Sequence, residues 1–201
     1  MSRYYKYIIP IVAIKLSIFL LISCNADDFD QKNEPMQFNV DTSLISTSIY
    51  LEDSNILLRP PIGWDEISDI EFEQMSKSIQ DSKNIFNIHL KKAFKSAEGA
   101  LLIISRIQSK ADNFGYIPPD YIELLTDQFN VEHIPFDVFE INQLPIRQYL
   151  INSPIVVIFK LFVSSASDYQ IDYIIPKRIY ENELKKIESS IGSINKQKEN
   201  K

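Results

Sequence analysis

Few side chains in this 201-residue chain have types and spacings suited to chemistry. The first is a lone thiol, Cys24, closing the apolar stretch Leu21-Ile22-Ser23-Cys24. A single cysteine can form neither an intrachain disulfide nor a paired-cysteine metal motif. The two histidines have ordinary explanations. His89 lies between Asn87 and Lys91 on the polar side of an expected strand, where a neighbouring ammonium makes it a poor zinc ligand. His133, in Val131-Glu132-His133-Ile134-Pro135, suits the end of a helix, where the dipole favours a cation; with Glu132 beside it, a general acid/base pair is the alternative. Asp27, Asp28 and Asp30 lack the central glycine of a calcium loop and read as a solvated run. Gly63, Gly99, Gly115 and Gly192 are too scattered to cradle a phosphate, which excludes nucleotide binding by a glycine-rich loop. No Gly-x-Ser-x-Gly elbow or His-Glu-x-x-His helix is present, and no serine has a local partner pattern. The sequence therefore names no catalytic residue, no metal ligand and no cofactor.

The residues ahead of Cys24 give its thiol a context. Arg3 and Lys6 make a basic start, an apolar run follows, and small Ser23 precedes the cysteine, which is the layout of a secretory signal. Lys15 interrupts the run and leaves Leu16 to Ile22 as its core. That is too short for a spanning helix, which needs about 18–20 apolar residues. Leu21, Ile22, Ser23 and Cys24 resemble a bacterial lipobox. The resemblance implies diacylglycerol on the Cys24 sulfur, cleavage before Cys24, and acylation of the new amino group. Asn25 and Ala26 follow, without the aspartate that favours inner-membrane retention, so the resemblance points to the outer membrane if the cell is Gram-negative.

The formal charge of the chain is −6, and the segment before Cys24 carries three cations and no acid, so the remainder carries −9. That balance argues against nucleic acid and against electrostatic docking on anionic lipid. Asn25 to about Ser43 is polar, acidic and without hydrophobic period, and is expected to be a flexible tether spanning roughly 25 Å. Residues 44–195 are expected to form one domain, with a polar tail over 196–201.

Within that domain strands and helices alternate. Ser46 to Glu52 and Ile56 to Arg59 read as strands about Asp53-Ser54-Asn55. Gly63-Trp64-Asp65 is expected to lead into a helix with Ile67, Ile70, Met75 and Ile79 on one face. Phe86 to Lys95 alternates, with Phe86, Ile88, Leu90 and Phe94 pointing one way, and Ala100 to Ile107 returns after the turn Glu98-Gly99. Pro118-Pro119-Asp120 starts a second helix with Tyr121, Leu124, Leu125 and Phe129 as its buried stripe. Phe136 to Ile141, Ile146 to Ile151, Ile155 to Val163 and Tyr169 to Ile175 follow as strands, and Tyr180 to Ile194 as an amphipathic helix. The third of these strands is apolar on both faces and belongs inside a covered sheet. The fold class expected is α/β, an α/β/α sandwich with a mainly antiparallel central sheet covered by helices.

Arg59-Pro60-Pro61-Ile62-Gly63-Trp64 resembles the proline–glycine–tryptophan landmark of PsbP-like domains. The later order is similar too: a long hairpin, a middle helix, a strand ending Tyr173-Ile174-Ile175-Pro176, and a closing helix with Ile187-Glu188-Ser189-Ser190-Ile191. Lipid-anchored envelope proteins of the DcrB type share that fold. The resemblance implies a non-enzymatic domain that binds or assembles other proteins, and it carries over no binding residue. Trp64 is expected to plug the edge of the core, its indole N–H meeting a backbone acceptor. Lys91, Lys92 and Lys95 read as solvated surface because Lys92 faces away from the others. The expected function is thus that of an envelope lipoprotein held to the membrane by its lipid and acting on a protein partner, with no nucleic acid. The alternative is an envelope hydrolase or small-molecule-handling enzyme with a site at the sheet end. Carriage of a hydrophobic ligand would need a large apolar cavity, which the well-filled pattern does not suggest.

Overall fold

A strand that is apolar on both sides has to be covered on both, and that requirement organises the domain. The computed structural model describes residues 34–35, 38–51, 54–81, 87–108 and 119–197. Its elements are β1 (Glu34–Pro35), β2 (Ile49–Leu51), β3 (Ile56–Leu58), β4 (Trp64–Glu66), α1 (Asp69–Asp81), β5 (Asn87–Ser96), β6 (Leu101–Gln108), α2 (Pro119–Phe129), β7 (Phe136–Ile141), β8 (Leu144–Asn152), β9 (Val156–Ser164), β10 (Asp168–Pro176), α3 (Tyr180–Gly192) and β11 (Asn195–Lys196). Eight strands make one open sheet in the order β1-β7-β8-β9-β10-β6-β5-β4, and β11-β3-β2 make a small second sheet. Every pairing is antiparallel except that of β1 with β7. The described residues form a mixed α/β domain with a large, mainly antiparallel sheet, few helices and no closed barrel.

β9 lies near the middle of that sheet, and its residues from Val157 to Val163 are all buried. Val157, Phe159, Leu161 and Val163 join one apolar cluster that includes Ile187 and Ile191 of α3. Ile158 and Phe162 join a second, with Tyr121 and Leu125 of α2. Because successive strand residues point to opposite faces, the two clusters lie on opposite sides of the sheet. The ring of Phe159 stacks on Tyr180 with centroids 6.3 Å apart, and Phe162 meets Tyr121 edge-on at 6.4 Å.

Polar contacts fix α3 against its face. Ser190 donates its hydroxyl to the Arg59 carbonyl at 2.6 Å, so the phenol of buried Tyr173 must be the donor in its 2.8 Å bond to Ser190 Oγ. Trp64 is buried, and its indole N–H donates to Glu183 Oε2 at 2.8 Å, a side-chain carboxylate rather than the backbone acceptor expected. Nor does Trp64 open a helix. Trp64, Asp65 and Glu66 pair with Ser96, Lys95 and Phe94 as an edge strand. The helix starts only after Ser68, whose hydroxyl accepts from the Glu71 N–H while the Glu71 carboxylate accepts from the Ser68 N–H, a reciprocal cap. That start turns Phe72, Met75 and Ile79 inward and leaves Ile70 71% exposed, against the expected stripe.

A bulge changes the long hairpin. Leu90 faces Ser105 and Lys92 faces Ile104, so Lys91 is an extra residue. One extra residue inverts every later side chain. Ile88 therefore packs with the α2-side cluster and Phe94 with the other, rather than both on one face. In α2, Leu124 is 42% exposed although expected in the buried stripe; Tyr121 and Leu125 are buried.

The end of the stretch expected as a tether packs on the domain. Phe38 meets Phe139 with ring centroids 6.0 Å apart, and the Asp41 N–H donates to Ser189 Oγ at 3.2 Å. Phe38 and Val40 cross α3 directly over Gly192, where a Cβ would lie 2.7 Å from Val40 Cγ2 and closer still to Phe38 Cβ. Gly192→Ala should therefore cost roughly 1–3 kcal/mol in urea unfolding, as overpacking does. The cost should shrink in a Phe38→Gly, Val40→Ala background, which removes both the Phe38 Cβ and the Val40 Cγ2 that the new methyl would meet. An equal cost in both backgrounds would mean that this crossing does not set the requirement for glycine.

Candidate functional site

Lys160 interrupts the apolar run of β9 on the α2 side, and the residue directly across from it on β10 is Asp172. Its ammonium donates to Asp172 Oδ1 at 2.9 Å, with only 9% and 10% of the two side chains exposed. Two residues earlier on the same face of β10, Gln170 donates from Nε2 to Asp172 Oδ2 at 2.5 Å. Both carboxylate oxygens are thus occupied. Lys160 also donates to the phenol oxygen of Tyr121, which α2 lowers onto the sheet.

Burial alone would push the Lys160 ammonium down, but the Asp172 carboxylate, helped by Tyr121, outweighs it and holds the pKa above its ordinary value. Lys160 is therefore a fixed cation at neutral pH and has no lone pair to offer as a nucleophile. Burial, the dominant influence on Tyr121, raises its phenol and keeps it protonated. The group is a closed arrangement of matched charges with one exception. Gln170 Oε1 is buried and has no hydrogen-bond partner. A carboxylate can only accept, so the amide must turn Nε2 to Asp172 and its oxygen elsewhere.

A cavity of about 200 Å³ lies between α2 and this part of the sheet. Lys160, Gln170, Asp172 and Tyr121 form part of its wall, with Ser105 of β6 and Gln128 of α2. The remaining wall is mainly aliphatic. A cavity here departs from the well-filled interior that the apolar periodicity suggests. Polar side chains on β6, β9 and β10 line it at positions where the pattern alone would put aliphatic ones.

The residues singled out from sequence lie elsewhere. Leu21, Ile22, Ser23 and Cys24 fall outside the described residues, as do Asp27, Asp28, Asp30 and Gly115. His89 and His133 are both exposed, and neither lines the cavity. Lys92 pairs with Glu66 at 2.8 Å and Lys95 with Glu71 at 3.4 Å, both on the surface. Among the described residues no three His, Cys, Asp or Glu side chains gather as a metal site would require, and no helix is long and apolar enough to cross a membrane. The buried quartet escapes sequence reasoning, although a signal for it exists: Lys160 is the one polar residue from Val156 to Val163, and Gln170 and Asp172 stand at i, i+2 among the aliphatic and aromatic residues of β10. No protein-family model matches the sequence, and no curated protein matches it significantly.

The pair can be tested for what it contributes. Asp172→Leu or Lys160→Met alone should cost about 3–5 kcal/mol in urea unfolding, because each strands a buried charge. The double variant should recover most of that loss. Additive costs would mean that the two charges are not coupled. The raised Lys160 pKa adds a sign: its contribution is complete below the ordinary lysine value and is lost only as pH climbs through the higher folded value. Stability of the wild type should therefore show no Lys160-linked change near neutral pH.

Proposed function

We propose that the protein is a lipid-anchored cell-envelope lipoprotein whose domain, a PsbP-like α/β/α sandwich, binds or assembles another protein at the membrane surface without catalysing a reaction. The observation that carries this reading is Leu21-Ile22-Ser23-Cys24, set behind a basic start and a short apolar run. Two or more acyl chains at Cys24, each methylene contributing about 0.8 kcal/mol when buried, would give lasting attachment. A remainder with charge −9 gains nothing from anionic headgroups, so on this reading the lipid alone holds it.

The sandwich is supported by the presence of α3 side chains in one apolar cluster and α2 side chains in the other. The non-enzymatic reading is supported by the state of the buried charges. Lys160 and Asp172 are spent on each other and on Gln170 and Tyr121, and both histidines sit at the surface away from the cavity. The hydrolase alternative finds no acid/base pair in the cavity wall, whereas small-molecule handling has the cavity itself in its favour.

Cys24→Ala is the direct test. The variant should accumulate as a precursor that retains its first 23 residues and takes up no radiolabelled palmitate, while the wild type is shortened and labelled. A wild-type mature chain whose cysteine carries no acyl mass would overturn the lipoprotein reading.

A further inference from the structure

We infer that the cavity under α2 is a binding site for a small uncharged molecule with an apolar body about the size of one ring and a hydrogen-bond donor for Gln170. Three features define that chemistry. Size comes first: about 200 Å³ exceeds the roughly 150 Å³ that suffices for benzene in an apolar protein cavity. The second is the wall, where Ile79, Ile88, Ile103, Leu125, Phe129 and Ile158 present an aliphatic and aromatic surface to the body of a ligand. The third is the polar side. Lys160 and Asp172 neutralise each other at 2.9 Å, so an added anion would meet the Asp172 carboxylate and an added cation the Lys160 ammonium. Neither net charge is favoured, and an uncharged ligand meets no such conflict.

Gln170 sets the polarity of the missing group. Its Nε2 is committed to Asp172, and its Oε1 has no partner although the residue is only 5% exposed. A buried acceptor left alone is costly, and a donor from a ligand relieves it. The matching group is a hydroxyl or an amide N–H rather than a carbonyl or an ether. Ligands of this class are therefore small alcohols, phenols and primary amides with a hydrocarbon or aromatic body. Binding would not make the protein an enzyme, because the fixed Lys160 cation and the protonated Tyr121 offer no nucleophile. The site does not depend on the lipid at Cys24, and the two proposals can fail separately.

Benzyl alcohol and toluene serve as probes, since they share a body and differ in the donor. The full-length protein, in nanodiscs and labelled at isoleucine methyl groups, reports through Ile79, Ile88, Ile103 and Ile158 on the wall and through Ile171 and Ile187 on the opposite face as controls. Nanodiscs hold the chain whether or not Cys24 is acylated. Benzyl alcohol should shift the wall methyls saturably and leave the controls unmoved, and toluene should bind about tenfold more weakly, the effect of one hydrogen bond. Gln170→Met should bring the two probes to nearly equal affinity. Leu124→Trp, which adds bulk to the cavity wall from α2 without touching the quartet, should weaken both. No saturable shift, equal binding of the two probes to the wild type, or shifts at Ile171 and Ile187 instead would each overturn the inference, even if Gln170→Met fails to fold. The first of these results would leave water as the partner of Gln170.

Discussion

Opposing Lys160 and Asp172 across β9 and β10 is the constraint on which the rest of the sheet depends. In an all-apolar strand pair, a shift of one residue costs little at the backbone and is resisted only by the fit of side chains. Here the same shift would carry Lys160 to the α3 side, away from Asp172, and would carry Phe159 and Leu161 off that side. A buried ion pair adds little net stability because desolvation consumes most of the attraction. Its value is discrimination: the observed register satisfies both charges, and the neighbouring ones strand them. Gln170 and Tyr121 extend that discrimination to the next same-face position of β10 and to the helix above it.

The opposite face is secured by a different means. There β9 presents only apolar side chains, and the polar contacts sit along α3, where Ser190 links Tyr173 to the Arg59 carbonyl and Glu183 receives the Trp64 indole and the Lys186 ammonium. The Ser190 contacts and the Trp64 indole tie α3 to other elements, whereas Lys186 pairs with Glu183 within the helix. The close passage of Phe38 and Val40 over Gly192 adds a further tie on the same helix. One face thus holds its polar groups in the sheet under a shorter helix, and the other holds them at the edge of a longer, better anchored one. The space left in the interior is on the first.

How much of this could be read from the residues follows from what each level of structure requires. Strands β7 and β10 and helix α3 were legible because local periodicity decides them, and their limits fall within a residue or two of expectation. The helix start at Asp69 was not, because Trp64 to Glu66 has no periodicity and takes its strand geometry from pairing with β5. Phe94 was assigned to the wrong face for a similar reason: the bulge at Lys91 exists only in relation to β6, and a single strand read alone alternates without interruption. The quartet was hidden by register. Lys160 and Asp172 are twelve residues apart, and nothing local says that they meet. Asn142 and Gln143, both with positive φ, form the tight turn between β7 and β8, a conformation that asparagine tolerates and that gave little warning in a sequence without glycine there. The candidate site was therefore less legible than the fold, since it depends on pairing and the fold mostly on periodicity.

The anchor and the cavity bear on each other through concentration. On the lipoprotein reading the domain stays within a tether's length of a bilayer, and small apolar alcohols and phenols partition into bilayers. A site of the inferred chemistry would then face a local supply enriched over bulk water, so that even weak affinity could give useful occupancy. Such a ligand would fill space between α2 and β6, β9 and β10, and every element it touched would be one whose packing there is incomplete. Stabilisation by a ligand that binds only the folded state is set by its free concentration relative to its dissociation constant. The face of the domain that carries α2 would therefore tighten or loosen with what the membrane contains, while the α3 face, closed by its own side chains, would hold its shape. A protein partner that recognised the α2 face could sense that difference; one that recognised the α3 face could not.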